Sequence, residues 1–248
     1  MSIAAVYNIK GGVGKTATSV NLAYLSARQG QKTLLCDLDP QGSASYYFRI
    51  RSPKKYNTKK LLKGGSHVDK NIRGTDYRGL DLLPADFSYR NIDIALDELQ
   101  QSTSHLDAVL RPLLQEYDRI FLDCPPNLTL LAENIFHAAD TILVPIIPST
   151  LSLLSLKQLF KFMDKIGQSR KKALVFFSMV EKRKKMHQEL MATMVKRQGV
   201  LKSPIPFLAD IERMGLYRQP VTAALPRSLA AQAYMELWQE IQPLLLSR

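Results

Sequence analysis

The chain has 248 residues, 46% hydrophobic and 23% charged, which suits one large soluble domain without low-complexity tracts. No apolar run reaches the roughly 20 residues that span a bilayer. No basic stretch opens the N-terminus as a signal peptide would, and two cysteines cannot build a disulfide framework. The net charge of +12 is uneven: 15 Lys/Arg face 5 Asp/Glu between residues 157 and 218, and 10 face 2 between residues 49 and 78. Two basic blocks on an otherwise acidic body point to a polyanion, most simply nucleic acid.

In chain order, residues 2–9 (SIAAVYNI) read as a buried strand and residues 15–30 as a helix closed by Gly30. Residues 32–39 (KTLLCDLD) form a second strand, and residues 79–86 a short one ended by Pro84. Residues 88–117 are helical with a break near 102–104. A strand at 118–126, a helix at 128–139, a strand at 140–148 and a helix at 151–168 follow. A strand at 171–180, a helix at 184–199, a last short strand at 203–210 and a final helix at 227–246 complete the chain. Strands apolar throughout and separated by helices predict an α/β fold, a mostly parallel twisted sheet with helices on both faces. No linker or repeat divides residues 1–248, so one domain is expected. The Lys-, Gly- and Ser-rich residues 51–75 read as a flexible loop. Cys36 and Cys124 lie in apolar runs beside aspartates and read as buried thiols of a reducing cytosol.

The stretch NIKGGVGKTAT at 8–18 carries the chemistry. It joins a strand to a helix, the setting a phosphate-binding loop requires. Gly11, Gly12 and Gly14 let successive N–H groups converge on phosphate oxygens, and the helix adds its positive dipole end. Lys15 would neutralise β- and γ-phosphates, and Thr16 would hold Mg²⁺. The usual pattern G-x-x-x-x-G-K-[ST] nevertheless fails, because its first glycine is replaced by Ile9 and a second lysine, Lys10, follows.

KGGVGKT resembles the deviant Walker A loop of the ParA/MinD superfamily, whose members are P-loop NTPases acting as ATP-driven dimerising switches. The resemblance covers nearly the whole chain. It implies an ATP-binding loop of Lys10, Gly11, Gly12, Val13, Gly14, Lys15, Thr16 and Ala17, the last standing where the family often has a second Thr. It gives Lys10 a role in trans, reaching the nucleotide of a facing subunit. DLDPQG is similar to the family's second motif, which makes Asp39 the water-orienting carboxylate and Asp37 a support on the Mg²⁺ side. RIFLDCPP is similar to Walker B, with Asp123 on the Mg²⁺ shell. Lys10, Lys15 and Asp39 are the implied catalytic set, and Thr16, Asp37 and Asp123 the implied metal set. Met179 and Pro206 would line the adenine. The helix-turn-helix extension of long plasmid-type members is not expected, since the first strand begins at residue 2.

The resemblance implies a short ParA-type ATPase, slow until stimulated by DNA and a ParB-like or cargo-adaptor partner. Its ATP-bound homodimer would bind DNA without sequence preference, partition or position a cargo, and associate with the nucleoid in the cytoplasm. The candidate DNA contacts are Lys182, Arg183, Lys184, Lys185, Lys196, Arg197, Lys202, Arg213 and Arg218. No aromatics interleave residues 182–202, so phosphate contact rather than base stacking is expected. A MinD-type membrane-associated ATPase is the alternative. Against it, the tail QEIQPLLLSR offers three leucines and one arginine, too short for stable anchoring. An iron–sulfur relative would need cluster cysteines at a shared face, and Cys36 and Cys124 sit at strand ends instead.

Overall fold

The computed structural model describes residues 1–100 and 102–246. Seven strands form one sheet in the order β3-β4-β2-β5-β1-β6-β7. They are β1 (Ser2–Val6), β2 (Thr33–Asp37), β3 (Arg73–Gly74), β4 (Leu80–Leu83), β5 (Arg119–Asp123), β6 (Thr141–Ile146) and β7 (Ala173–Phe177). All pairings are parallel except that of the short edge strand β3 with β4.

Every residue of β1, β2, β5, β6 and β7 is buried, which is why these strands read as unbroken apolar runs. Alternate side chains feed two cores. From β1, Ile3 and Ala5 join the core under helices Leu130–Ala138 and Thr150–Lys165. Ala4 and Val6 join the core under helices Lys15–Arg28 and Leu229–Leu246. In the second core the Trp238 ring lies 6.3 Å from that of Phe121, and the Arg119 guanidinium stacks 4.9 Å from its centre.

The first helix ends at Arg28, and Gly30 takes the left-handed conformation (φ 87°) that turns the chain out of it. Residues 88–117 are more broken than expected, with helices only at Ile92–Asp97 and His105–Leu110 flanked by 3₁₀ turns.

Two expectations fail. Residues 51–75 are a packed cap rather than a flexible loop: they hold helices Thr58–Lys63 and Ser66–Asp69 as well as β3. Tyr56, Leu61, Leu62 and Val68 are buried there, and the Asn57 side chain caps the first of these helices by accepting from the Lys60 N–H. Four spaced apolar residues outweigh the polar composition. Residues 203–210 form no strand. The segment still follows β7: the Ile205 N–H donates to the Phe177 carbonyl at 2.8 Å and the Phe207 N–H to the Val180 carbonyl at 3.0 Å, but within it only Pro206 forms a bridge, with Val180, and no ladder develops.

Candidate nucleotide site

The chain leaves β1 for β2 on one side of the sheet and later returns to β6 on the other, with β5 between β1 and β2. The crevice at the C-terminal end of β1 is therefore a topological switch point, where open α/β sheets bind ligands. The loop at residues 8–15 occupies it.

Glycine is required here by the backbone. Gly12 and Gly14 have φ of 69° and 86°, and a Cβ on Gly14 would stand 3.0 Å from the Ser178 hydroxyl. Asn8, buried at the end of the strand run, fixes the loop's entry. Its Nδ2 donates to the Pro145 carbonyl at 2.7 Å and its Oδ1 accepts from the Lys10 N–H at 2.9 Å. The loop ends on helix Lys15–Arg28, whose N-terminus has no side-chain cap and leaves its N–H groups free for an anion. The Lys15 ammonium folds back onto the Lys10 carbonyl at 2.9 Å. Burial lowers its pKa, while Asp123, Cys124 and Asp39 act in the opposite direction.

The register sets Asp37 of β2 directly beside Asp123 of β5. Both are almost wholly buried. Asp37 Oδ2 accepts from the Ser45 N–H at 2.8 Å and its hydroxyl at 2.7 Å, and Asp123 Oδ1 accepts from the Ser19 hydroxyl at 3.0 Å. Asp37 Oδ1 and Asp123 Oδ2 are buried without a hydrogen-bond partner among the described residues. Burial pushes the Asp123 carboxyl up to about 8, reinforced by the charge of Asp37 and opposed by the Thr16 and Ser19 hydroxyls. Burial likewise raises Asp37 to about 6, against its Ser45 hydrogen bonds. Two unsatisfied carboxylate oxygens beside a Thr hydroxyl are a donor set for a hard cation. Mg²⁺ suits it, because Mg²⁺ keeps most of its waters and takes only one or two carboxylates plus substrate phosphates.

Asp39, half-buried one turn beyond β2, accepts from the Gln41 N–H at 2.9 Å. Lys10 is half-buried in the loop. Met179 has a left-handed backbone (φ 53°) next to Ser178, which flanks the loop through Gly14, and Pro206 bridges to Val180. Loop and carboxylates thus border one crevice, and Ser178 stands against the loop at Gly14. Sequence reasoning missed Asn8, Ser19 and Ser45. Ser19 was accessible: four residues after Lys15, it lies on the same helix face.

The basic candidates do not form one patch. Lys182, Arg183, Lys184 and Lys185 are exposed between β7 and helix Lys185–Met194, although Lys184 pairs with Glu181 at 2.6 Å. Lys196 and Arg197 follow that helix, about 15 Å away by its ten residues. Lys202 and Arg213 are exposed elsewhere on this third of the chain. Arg218 is structurally engaged: its Nε donates to the Tyr46 carbonyl at 3.1 Å, and its guanidinium lies 4.4 Å from the Tyr46 ring centre.

A phosphate-loop nucleotide-binding domain is the class that this fold and loop define. Residues 1–176 match the family described as AAA domain. Over 241 residues the chain is 30% identical to the chromosome-partitioning ATPase Soj of Treponema pallidum (strain Nichols), covering 94% of each. A plasmid partition protein from Borrelia burgdorferi superposes with TM-score 0.74 at 24% identity, covering 92% of this chain and 99% of that one. Cobyrinic acid a,c-diamide synthase from Mycobacterium smegmatis, solved with ADP and magnesium, superposes with TM-score 0.80 at 25% identity, covering 96% and 92%. The chain belongs to the ParA family of ATPases.

Proposed function

We propose that this protein is an ATP-driven dimerising switch that positions a DNA or protein cargo. The observation that carries the reading is the switch-point loop, where the Lys15 ammonium feels the charges of Asp123 and Asp39 and where Asp37 and Asp123 stand side by side at the strand ends. The partition ATPases among its relatives support the same job. The synthase relative shows that the fold alone does not assign one.

In this reading the loop N–H groups and the end of helix Lys15–Arg28 bind the ATP phosphates, and Lys15 exchanges the Lys10 carbonyl for a phosphate oxygen. Thr16, Asp37 and Asp123 would hold the Mg²⁺ shell, which would supply positive charge to the nucleotide phosphates. Asp39 orients the attacking water. Lys10 points its charge at a facing subunit's nucleotide, so that the complete site exists only in the dimer. Met179 and Pro206 line the adenine. Lys182 to Lys185 are the first contacts for phosphates of DNA of any sequence, with Lys196, Lys202 and Arg213 as further ones. The protein would work in the cytoplasm on the nucleoid, with a ParB-like or adaptor partner. No described helix is long and apolar enough to cross a membrane.

Unstimulated turnover should be slow, on the order of 10⁻⁴–10⁻² per second. Lys15→Ala should fold but lose ATP binding in calorimetry. A Lys15→Ala protein that binds ATP as wild type does would remove the phosphate-loop assignment.

A further inference from the structure

A cleft of about 1120 Å³ opens at the opposite end of β7 from the nucleotide crevice. It lies between helix Thr150–Lys165 and the turn that follows helix Lys185–Met194. Its apolar floor is made by Leu153, Leu156, Phe160 and Met194. Three of its cations, Lys157, Lys171 and Arg197, are exposed and make no ion pair or side-chain hydrogen bond among the described residues. The other two are committed: Arg170 pairs with Asp164, and Lys172 donates to the Phe136 carbonyl and to Gln168. The one carboxylate lining the cleft, Asp140, is held by Arg111 at 3.0 Å. The cleft therefore combines a greasy floor with an unbalanced positive rim.

We propose that this cleft docks a short acidic amphipathic helix of a partner protein. Charge complementarity selects the acidic face, because a partner carboxylate would meet three unpaired cations and, among the described residues, no free anion. The floor selects the apolar face. From Leu153 to Phe160 it follows two turns of one helix, about 10 Å, the footprint of residues spaced i, i+3, i+4 and i+7 on a docked helix. The volume exceeds the usual range of about 300–1,000 Å³ for small-molecule sites. Duplex DNA presents phosphates on a wide rigid rod and has nothing to place on a recessed apolar floor. Arg197, grouped with the DNA contacts by sequence alone, is assigned here to the peptide. The site stands on the cleft itself, and only the identity of its occupant as a regulatory or cargo partner rests on the positioning reading above.

The test is selection of random linear peptides displayed on phage against the full-length chain, with the selected peptides then measured in solution. Selected peptides should be acidic, with apolar residues at helical spacing. Their affinity should fall about tenfold or more, roughly 1.4 kcal/mol, in Lys157→Glu/Lys171→Glu/Arg197→Glu and in Leu153→Asp. The triple variant should keep wild-type melting, Leu153→Asp should melt lower because Leu153 packs against the core, and both should keep ATP binding, with Leu153→Asp also keeping ATP-dependent DNA binding. Selection of no peptides, selection of neutral or basic ones, or equal binding by the variants overturns the proposal. So does loss of DNA binding in folded Leu153→Asp, which would make the cleft part of the DNA surface. Failure of the switch reading would appear separately, as DNA or ATP binding absent in wild type.

Discussion

Asp123 shows what the site costs the apo protein. Its carboxyl is buried beside Asp37, and one oxygen of each lacks a partner among the described residues. The folded-state pKa of about 8 lies above the ordinary value of 3.8. The folded chain therefore holds a proton that the unfolded chain has released. That contribution is complete below about pH 4 and is lost as pH rises through about 8. Asp123→Asn keeps an acceptor for the Ser19 hydroxyl and removes the buried charge. Without Mg²⁺ or nucleotide it should be more stable than wild type at pH 8–9, by at least the roughly 1.4 kcal/mol of one pKa unit, and the gap should shrink towards pH 5. ATP hydrolysis should be lost. Urea melts across this pH range check it, and a variant less stable than wild type at pH 9 contradicts it. The phosphate loop and the aspartates were legible in the sequence, since glycine spacing and strand-end carboxylates are local features. Asn8 was not, because its partner, Pro145, is distant in sequence and meets it only across the sheet.

Among elements, strands buried on both faces announced themselves as apolar runs, and their order was predictable in kind. The segments around residues 51–75 and 203–210 were misread for opposite reasons. In the first, a basic, glycine-containing composition hid four apolar anchors that reach the core. In the second, apolar residues suggested a strand, but the segment makes one isolated bridge, Val180 with Pro206, before helix Ala209–Glu212 begins. Ten Lys/Arg lie between residues 49 and 78, so trypsin reports directly on the cap. Leu61→Ala, at a fully buried position, should cost about 2–5 kcal/mol. If the cap opens locally, cleavage at Lys59, Lys60 and Lys63 should accelerate before global unfolding. Rapid tryptic cleavage there in the wild-type protein would contradict a packed cap.

For the whole molecule, the proposed switch makes charge and nucleotide site one device only when two copies meet. One copy offers a few cations separated along helix Lys185–Met194, each weak and screened near physiological salt. Two copies double the set on one body and raise affinity without a new type of contact. Log K should fall with log[salt] by about 0.9 per phosphate neutralised. Lys182→Glu/Arg183→Glu should weaken binding to all sequences alike while leaving ATP-dependent assembly intact. Filter binding with unrelated duplexes checks this, and a sequence-dependent loss contradicts it. Neither the partner nor the cargo is written in these elements, because both lie in other chains. The cleft beside β7 was invisible in the sequence for a related reason: its floor and rim come from segments joined only by the fold.

The central claim is that Lys10 acts across a nucleotide-dependent dimer, and light scattering of two variants with ATP and Mg²⁺ tests it most directly. Asp39→Ala should bind ATP, fail to hydrolyse it and accumulate at twice the 28.0 kDa chain mass. Lys10→Ala should bind ATP equally well and remain at the monomer mass. A Lys10→Ala dimer as tight as that of Asp39→Ala would contradict the account.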